Sequence, residues 1–170
     1  MFDFLVKWKI DSAFKSNKRD HAFRNMENME SILILFSYND WNEIVNIARD
    51  LESKRKKVVM WTVQPPQKNL GNTIFPSNVR IIHPNEISLF NILSSSVLNE
   101  FKLLDYDTLI DLTTTNNKVF RYLLANSSSD CSIGISEHEY NVYDFIVLKE
   151  DNKTLQETYD QIKFYLNNIR

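Results

Sequence analysis

Two groups of polar side chains have the residue types that bind small polar ligands. The segments 37–40 and 113–116 each follow a short apolar run, and their hydroxyl, amide and carboxyl groups donate and accept hydrogen bonds. The predicted ligand-binding residues are Ser37, Tyr38, Asn39, Asp40, Thr113, Thr114, Thr115 and Asn116. The same residue types cap helices and form turns, and the pattern favours that interpretation over a ligand site.

The aspartates between residues 105 and 111 could serve a metal ion or acid–base chemistry. On one strand, Asp107 and Asp111 would share a face but stand ~13 Å apart, so a single cation could not join them. Asp105 precedes the apolar run and is expected in a turn. Asp111 lies inside the run, and if it is buried it needs a hydrogen-bond partner. We therefore expect a structural hydrogen bond at Asp111 and no metal.

The remaining residue types that could do chemistry lack a recognisable arrangement. The histidines do not have the i, i+4 spacing of metal ligands on a helix, and His138 lies in a polar segment between Glu137 and Glu139. A solvated loop is the favoured interpretation of that segment. Cys131 is the only cysteine and begins an apolar run, which favours a buried thiol over a reactive one. We expect no catalytic residue here.

The chain has 170 residues and only two glycines. Loops that wrap a phosphate need glycine, because a Cβ blocks the close approach of the backbone. Gly71 and Gly134 lie far apart, so neither the dinucleotide-binding pattern nor the P-loop pattern is present. The sequence therefore predicts no cofactor and argues against a dinucleotide oxidoreductase or a P-loop NTPase.

From residue 31 onward, short apolar runs alternate with segments of helical periodicity. Such alternation is typical of parallel strands joined by right-handed crossovers. The strands are predicted near 31–37, 57–63, 79–83, 107–113, 131–134 and 144–149. We predict an α/β fold of three layers, Rossmann-like, with a mostly parallel six-stranded sheet in the order 3-2-1-4-5-6. In this order the first and fourth strands are neighbours, and 37–40 meets 113–116 where the strand order reverses.

Apolar residues at helical spacing predict the helices between these strands. One helix follows Asp40, a second covers 87–103, a third runs from Asn116 to Asn126, and the last covers 153–169. The apolar positions of the second helix include Leu89 and Phe90. Those of the last helix include Phe164 and Tyr165, which we expect to face the core.

The first 28 residues differ from the rest, because they form an amphipathic helix before any strand. We predict a helical extension over 1–28 and a Rossmann-like domain over 29–170. The apolar stripe consists of Phe2, Val6, Ile10 and Phe14. Burying such side chains is worth ~1.5–3 kcal/mol each, so we expect the helix to pack on its own domain or on a partner, in a homodimer or with another protein. Contact with a membrane surface is the weaker alternative, because acidic residues lie among the lysines.

Composition narrows the remaining function classes. The net charge of −2 gives no general attraction to nucleic acid, so we expect no nucleic-acid partner. No apolar run approaches the ~20 residues that span a bilayer, and the first residues do not read as a signal peptide. With a single cysteine, these features lead us to expect a soluble, cytoplasmic protein.

The segment from Leu104 to Val147 carries a resemblance to known proteins. It contains L-D-Y-D-T-L-I-D-L-T, then Y-L-L-A-N-S, C-S-I-G-I and Y-D-F-I-V. This succession resembles a family of short, uncharacterised bacterial Rossmann-like proteins. It is also similar to one half of the heptosyltransferase-like glycosyltransferases, which hold donor and acceptor between two Rossmann-like halves. The resemblance implies the fold and no activity.

Two hypotheses about function follow. The first is a non-catalytic module that acts by self-association or by binding a partner. The second is an enzyme, a minimal nucleotide-sugar transferase-like domain that needs a second subunit. The missing glycine-rich loop and the absence of paired acids favour the first.

Overall fold

The computed structural model describes residues 2–67 and 70–169, with only the backbone of Phe2. The helices are α1 (Phe2–Ser16), α2 (Trp41–Ser53), α3 (Ser95–Lys102), α4 (Lys118–Ala125) and α5 (Leu155–Asn168). The strands are β1 (Ser31–Ser37), β2 (Lys57–Val63), β3 (Val79–Ile82), β4 (Thr108–Asp111), β5 (Cys131–Gly134) and β6 (Phe145–Ile146). Short 3-10 turns follow β1 and β3, at Tyr38–Asp40 and Pro84–Glu86.

The six strands form one sheet in the order β3-β2-β1-β4-β5-β6, and every neighbouring pair is parallel. This confirms the predicted fold class and strand order. The central strands β1 and β4 are adjacent, and Ile34 is in register with Ile110. Residues 37–40 and 113–116 therefore emerge side by side from the same edge of the sheet.

Both faces of the sheet are covered by helices, which explains why its strands read as continuous apolar runs. Alternate residues of β1 point to opposite faces. Ile34 packs in the core with α2 and α5, while Leu33 and Leu35 pack with α3 and α4. Ile34 and Ile110 are fully buried, as expected for the two central strands.

The predicted helix over 87–103 is wrong in its first half. Helix α3 begins only at Ser95, because the Ser94 hydroxyl accepts the N–H of Val97 and so caps the helix there. The residues before it form a loop that is closed by a bridge between Ile87 and Leu93. Leu89 in this loop is 98% exposed, so the helical spacing of the apolar residues there does not mark a buried helix face.

Two further details, one in β6 and one in α5, differ from expectation. Strand β6 is confined to two residues instead of the predicted 144–149. In α5, Phe164 and Tyr165 are exposed, because the stripe of Leu155, Tyr159, Ile162 and Leu166 already fills the buried face of the helix.

Helix α1 packs against α4 of its own domain. Val6 and Ile10 are buried, and the Phe14 ring stacks on the Tyr140 ring with centroids 4.6 Å apart. Beyond the helix, the Asn17 amide donates to the carbonyl oxygens of Ala125 and Ser127. The apolar stripe is thus used inside the chain. The side chain of Phe2, the fourth member of the predicted stripe, lies outside the described residues.

Arg19 holds the segment after α1 against the residues that precede β5 and β6. Its guanidinium is largely buried and donates to the carbonyl oxygens of Ser129, Asp130 and Val142 and to the Asp144 carboxylate at 3.0 Å. Among the described residues, no helix is long and apolar enough to cross a membrane. The proposed boundary at residue 28 stays a prediction.

Truncation of the central core tests this arrangement. We expect Ile34→Ala and Ile110→Ala each to lower the free energy of unfolding by ~2–5 kcal/mol, because each leaves a cavity in a packed interior. Leu89→Ala is the matched control and should change it by less than about 0.5 kcal/mol, because Leu89 is exposed. Urea denaturation measures all three values. A loss under about 1 kcal/mol at either isoleucine would contradict the assigned burial.

Candidate ligand-binding site at the strand ends

The loops that follow β1 and β4 bind each other directly. The Ser37 hydroxyl accepts the backbone N–H of Thr114 at 3.0 Å and shares a hydrogen bond with the Thr115 hydroxyl at 3.0 Å. The Thr114 hydroxyl donates to the Asp40 carboxylate at 2.5 Å. The crevice expected between the two central strands is therefore filled by the protein's own polar groups.

The structure places six of the eight predicted ligand-binding residues in two separate cavities. Tyr38 and Asn39 line a small cavity of about 140 Å³, where the Tyr38 ring packs on Phe75. Residues 113–116 line a larger cavity of about 600 Å³, one strand further along the sheet. Ser37 and Asp40 line neither of these two cavities and instead join the two loops.

We call the larger space the strand-end cavity. It opens at the carboxyl ends of β4 and β5, beside the start of α4, which is where ligands gather in open α/β sheets. Its buried lining residues are Asp111, Phe120, Leu124, Ile135 and Tyr143. Its other lining residues are Thr113, Thr114, Thr115, Asn116, Asn117, Arg121, Ser136, Glu137, His138, Glu139, Lys149 and Asp151. A volume of this size suits a small organic molecule.

Asp111, Gly134 and Tyr143 form the centre of the buried lining. Gly134 of β5 is in register with Asp111 of β4, and the Tyr143 ring lies over Gly134. The Tyr143 hydroxyl reaches across β5 and donates to Asp111 Oδ2 at 2.6 Å. Thr113 donates to Asp111 Oδ1 from its N–H at 3.0 Å and from its hydroxyl at 2.7 Å. The expected hydrogen bonding of a buried Asp111 is thus present.

A glycine is required at position 134 because the aromatic ring occupies the space of a side chain. A Cβ there would lie 2.5 Å from the nearest Tyr143 ring atom, well inside van der Waals contact. The spacing of the two glycines excludes a phosphate-binding loop but does not predict this contact. The sequence signal for it is that Gly134 is an isolated glycine within a strand, which indicates a close approach by another group.

Burial governs the ionisation of this centre. Desolvation raises the pKa of Asp111 above its ordinary value, against the hydrogen bonds from Tyr143 and Thr113, which lower it. Burial also raises the pKa of Tyr143, and the nearby Asp111 charge raises it further. Among the residues that the structure describes, Asp111 has no ion-pair partner. Its carboxyl is held by neutral donors only.

His138 lines the same cavity and is held by α1. Its Nδ1 accepts the backbone N–H of Tyr140 at 3.1 Å, so the proton of the neutral ring lies on Nε2. Nε2 is enclosed and has no hydrogen-bond partner within the described part of the chain. Burial lowers the pKa of His138, and the positive charge of Arg121 adds to that effect. Phe14 of α1 contacts the His138 ring with centroids 5.1 Å apart.

The other residues considered for chemistry have structural surroundings. Cys131 is buried in the core with a pKa raised by burial, as its place in an apolar run predicted. The Asp107 carboxylate accepts the backbone N–H groups of Glu30 and Ser31 at 2.9 Å each. Within residues 2–67 and 70–169, no group of three or more His, Cys, Asp and Glu side chains could hold a metal ion.

The fold places the chain in the α/β class with a Rossmann-like parallel sheet. Residues 3–169 match the family of unknown function DUF6913, and the chain belongs to that family. A search of the curated proteins found no match to the chain. Membership confirms the expected family of unknown function, and the parallel sheet of the structure is Rossmann-like, as expected. Neither the similarity to heptosyltransferases nor a bacterial source receives support from these comparisons.

The two glycines provide a matched test of the site. We expect Gly134→Ala to lower the free energy of unfolding by ~1–3 kcal/mol, because the added Cβ must displace the Tyr143 ring and weaken its bond to Asp111. Gly71→Ala should change it by less than about 0.5 kcal/mol, because nothing lies within 4 Å of the Cβ position there. Thermal denaturation followed by circular dichroism compares the two. Equal stabilities would show that Tyr143 does not lie over Gly134.

Proposed function

We propose that this protein acts by self-association, as a dimer that forms through the β6 edge of its sheet. We call this region the sheet-edge surface. Its members are the exposed or half-buried apolar residues Phe23, Phe145, Ile146, Leu148, Phe164 and Tyr165. The observation that carries the proposal is that these side chains form an apolar surface on both sides of β6, which among the described strands pairs only with β5.

The aromatic members of the sheet-edge surface contact one another. The Phe145 ring lies 6.1 Å from the Phe23 ring and 6.4 Å from the Tyr165 ring, centroid to centroid, and Tyr165 lies 5.6 Å from Phe164. Phe164 is 63% exposed. Contiguous apolar patches are uncommon on monomers, and aromatic residues dominate the energetics of protein interfaces.

The two edges of the sheet differ in the way that this proposal requires. The β3 edge carries Arg80, which pairs with Glu86 at 2.7 Å and with Glu100 at 2.9 Å. Charged side chains of this kind protect an edge strand from pairing with another chain. Both residues of β6, Phe145 and Ile146, are apolar, and Ile146 and Leu148 remain about half exposed.

A second copy of the same chain fits this edge better than a different partner. The run 145–148 is entirely apolar, and it lies between the acidic Asp144 and the basic Lys149. Antiparallel pairing of two identical edges about a two-fold axis would place the apolar edge residues of one copy against those of the other. The exposed side chains of Ile146 and Leu148 would then be covered by their counterparts, so the surface is complementary to itself in polarity. The Asp144 carboxylate takes no part in this contact, because it already pairs with Arg19 of the same chain.

Nucleotide-sugar transfer is less well supported than association. The strand-end cavity is lined by the carboxyl groups of Asp111, Glu137, Glu139 and Asp151 and by only two basic side chains, Arg121 and Lys149. A nucleoside diphosphate would bring further negative charge into this surrounding. The chain also lacks a glycine-rich loop for a diphosphate.

Light scattering after size-exclusion chromatography tests the proposal on the full chain. At a protein concentration of about 300 μM we expect a mass near twice that of one chain. Dilution to about 1 μM should dissociate the dimer. The double variant Ile146→Lys, Phe164→Lys should be monomeric throughout, because two charges per copy would then meet across the interface.

The control is Phe4→Lys, Trp8→Lys, which makes the same change on the outward face of α1, where both side chains are more than half exposed. This variant should remain dimeric, and circular dichroism should show that both variants are folded. A monomeric wild-type chain, or loss of the dimer in the α1 variant alone, would contradict association through the sheet edge.

A further inference from the structure

The carboxyl group of Asp111 is buried in the strand-end cavity, and no described residue gives it a charged partner. Asp111 is 4% exposed, and its donors are the Tyr143 hydroxyl and the N–H and hydroxyl of Thr113. Its two oxygens have about four lone-pair sites and the described protein groups fill three of them. A buried carboxylate is costly unless a cation or further donors compensate it. The site can therefore accept one more strong donor.

The charge of the cavity lining determines which ligand charge is favoured. Four carboxyl groups and two basic side chains line the cavity, and Arg121 already pairs with Glu139. Lys149 is the second base, and its ammonium donates to the carbonyl oxygen of Glu150 at 3.3 Å. A ligand with a positive charge is therefore favoured over a neutral or negative one.

The remaining lining indicates an organic cation and not a bare metal ion. Phe120, Leu124 and Ile135 provide an apolar wall beside Asp111, and the volume of about 600 Å³ far exceeds that of one ion. Oxygen ligands for a metal would have to come from several converging carboxylates, and no such cluster occurs among the described residues.

His138 supplies a second, independent observation. Its enclosed Nε2 carries a proton that no described group accepts. The ring lies beside Tyr143, with centroids 6.1 Å apart, and the Tyr143 hydroxyl donates to Asp111, so His138 and Asp111 both contact Tyr143 in the lining of the cavity. A ligand oxygen that accepts from Nε2 would satisfy a buried polar group that is otherwise unpaired.

We propose that the strand-end cavity binds a small organic amine that also carries an oxygen acceptor, with the ammonium group on Asp111 and the oxygen facing His138. Thr113 and Tyr143 orient the carboxylate, and the apolar wall contacts the carbon chain of the ligand. None of the six residues of the sheet-edge surface lines the strand-end cavity, so binding of the amine does not require the proposed dimer.

Three probes of equal chain length isolate the charge. Aminobutanol, butanediol and hydroxybutyrate share a four-carbon chain and one hydroxyl, and at neutral pH their other ends are positive, neutral and negative. Each is titrated into the ¹⁵N-labelled full chain and followed by NMR. We expect saturable shifts at Thr113 and at residues beside Tyr143 with aminobutanol, and at least about tenfold weaker binding of the other two.

Two variants link the effect to Asp111. Asp111→Asn should weaken aminobutanol at least about tenfold, whereas Asp105→Asn, which changes an exposed aspartate outside the cavity, should leave its affinity unchanged. If Asp111→Asn does not fold, the comparison of the three probes on the wild-type chain still decides. Equal binding of aminobutanol and butanediol, preference for hydroxybutyrate, or no saturable shift in the cavity would overturn the proposal.

Discussion

The hydrogen bond between the Tyr143 hydroxyl and the Asp111 carboxyl is the contact on which the candidate site depends. It joins the end of β4 to the segment before β6 and crosses the intervening strand β5. That crossing is possible only because position 134 has no side chain. Gly134, one of the two glycines in the chain, thus allows the Tyr143 ring to pack against β5. The Tyr143 hydroxyl in turn holds the buried carboxyl group of Asp111 beside the cavity.

The position of the cavity follows from contacts at the centre of the sheet. Ser37 and Asp40 bind the loop after β4, so the usual ligand crevice between β1 and β4 is closed and the open space lies beside β5. Helix α1 contributes from outside, because Phe14 stacks on Tyr140 and Asp11 accepts a hydrogen bond from the Tyr140 hydroxyl. The N-terminal helix thereby supports the loop that carries His138. Helix α1 packs over α4 and, through Phe14, contacts His138 in the wall of the cavity.

The sequence predicted the strands and their order because both depend on local features. Continuous apolar runs mark strands that are buried on two faces, and crossovers between parallel strands are almost always right-handed. The failures arose where tertiary contacts decide. The periodicity of 87–94 could not show that the Ser94 cap delays α3 to Ser95. Residues 113–116 were identified from their types, but neither the closure by Ser37 nor the approach of Tyr143 to Asp111 can be read from spacing. The latter contact joins residues 32 positions apart.

The pKa of Asp111 tests this description of the site most directly. Because burial outweighs the neutral donors, the folded-state pKa should lie above the ordinary value of about 3.9. The carboxyl then contributes stability that is present below about pH 4 and is lost as the pH rises through the folded-state value. The measurement is an NMR titration of the ¹³C side-chain carboxyl signal of Asp111 in the ligand-free protein. A midpoint clearly above about 3.9 is predicted. A midpoint at or below that value would show that a cation or solvent compensates the charge, and would contradict a buried carboxyl held by neutral donors.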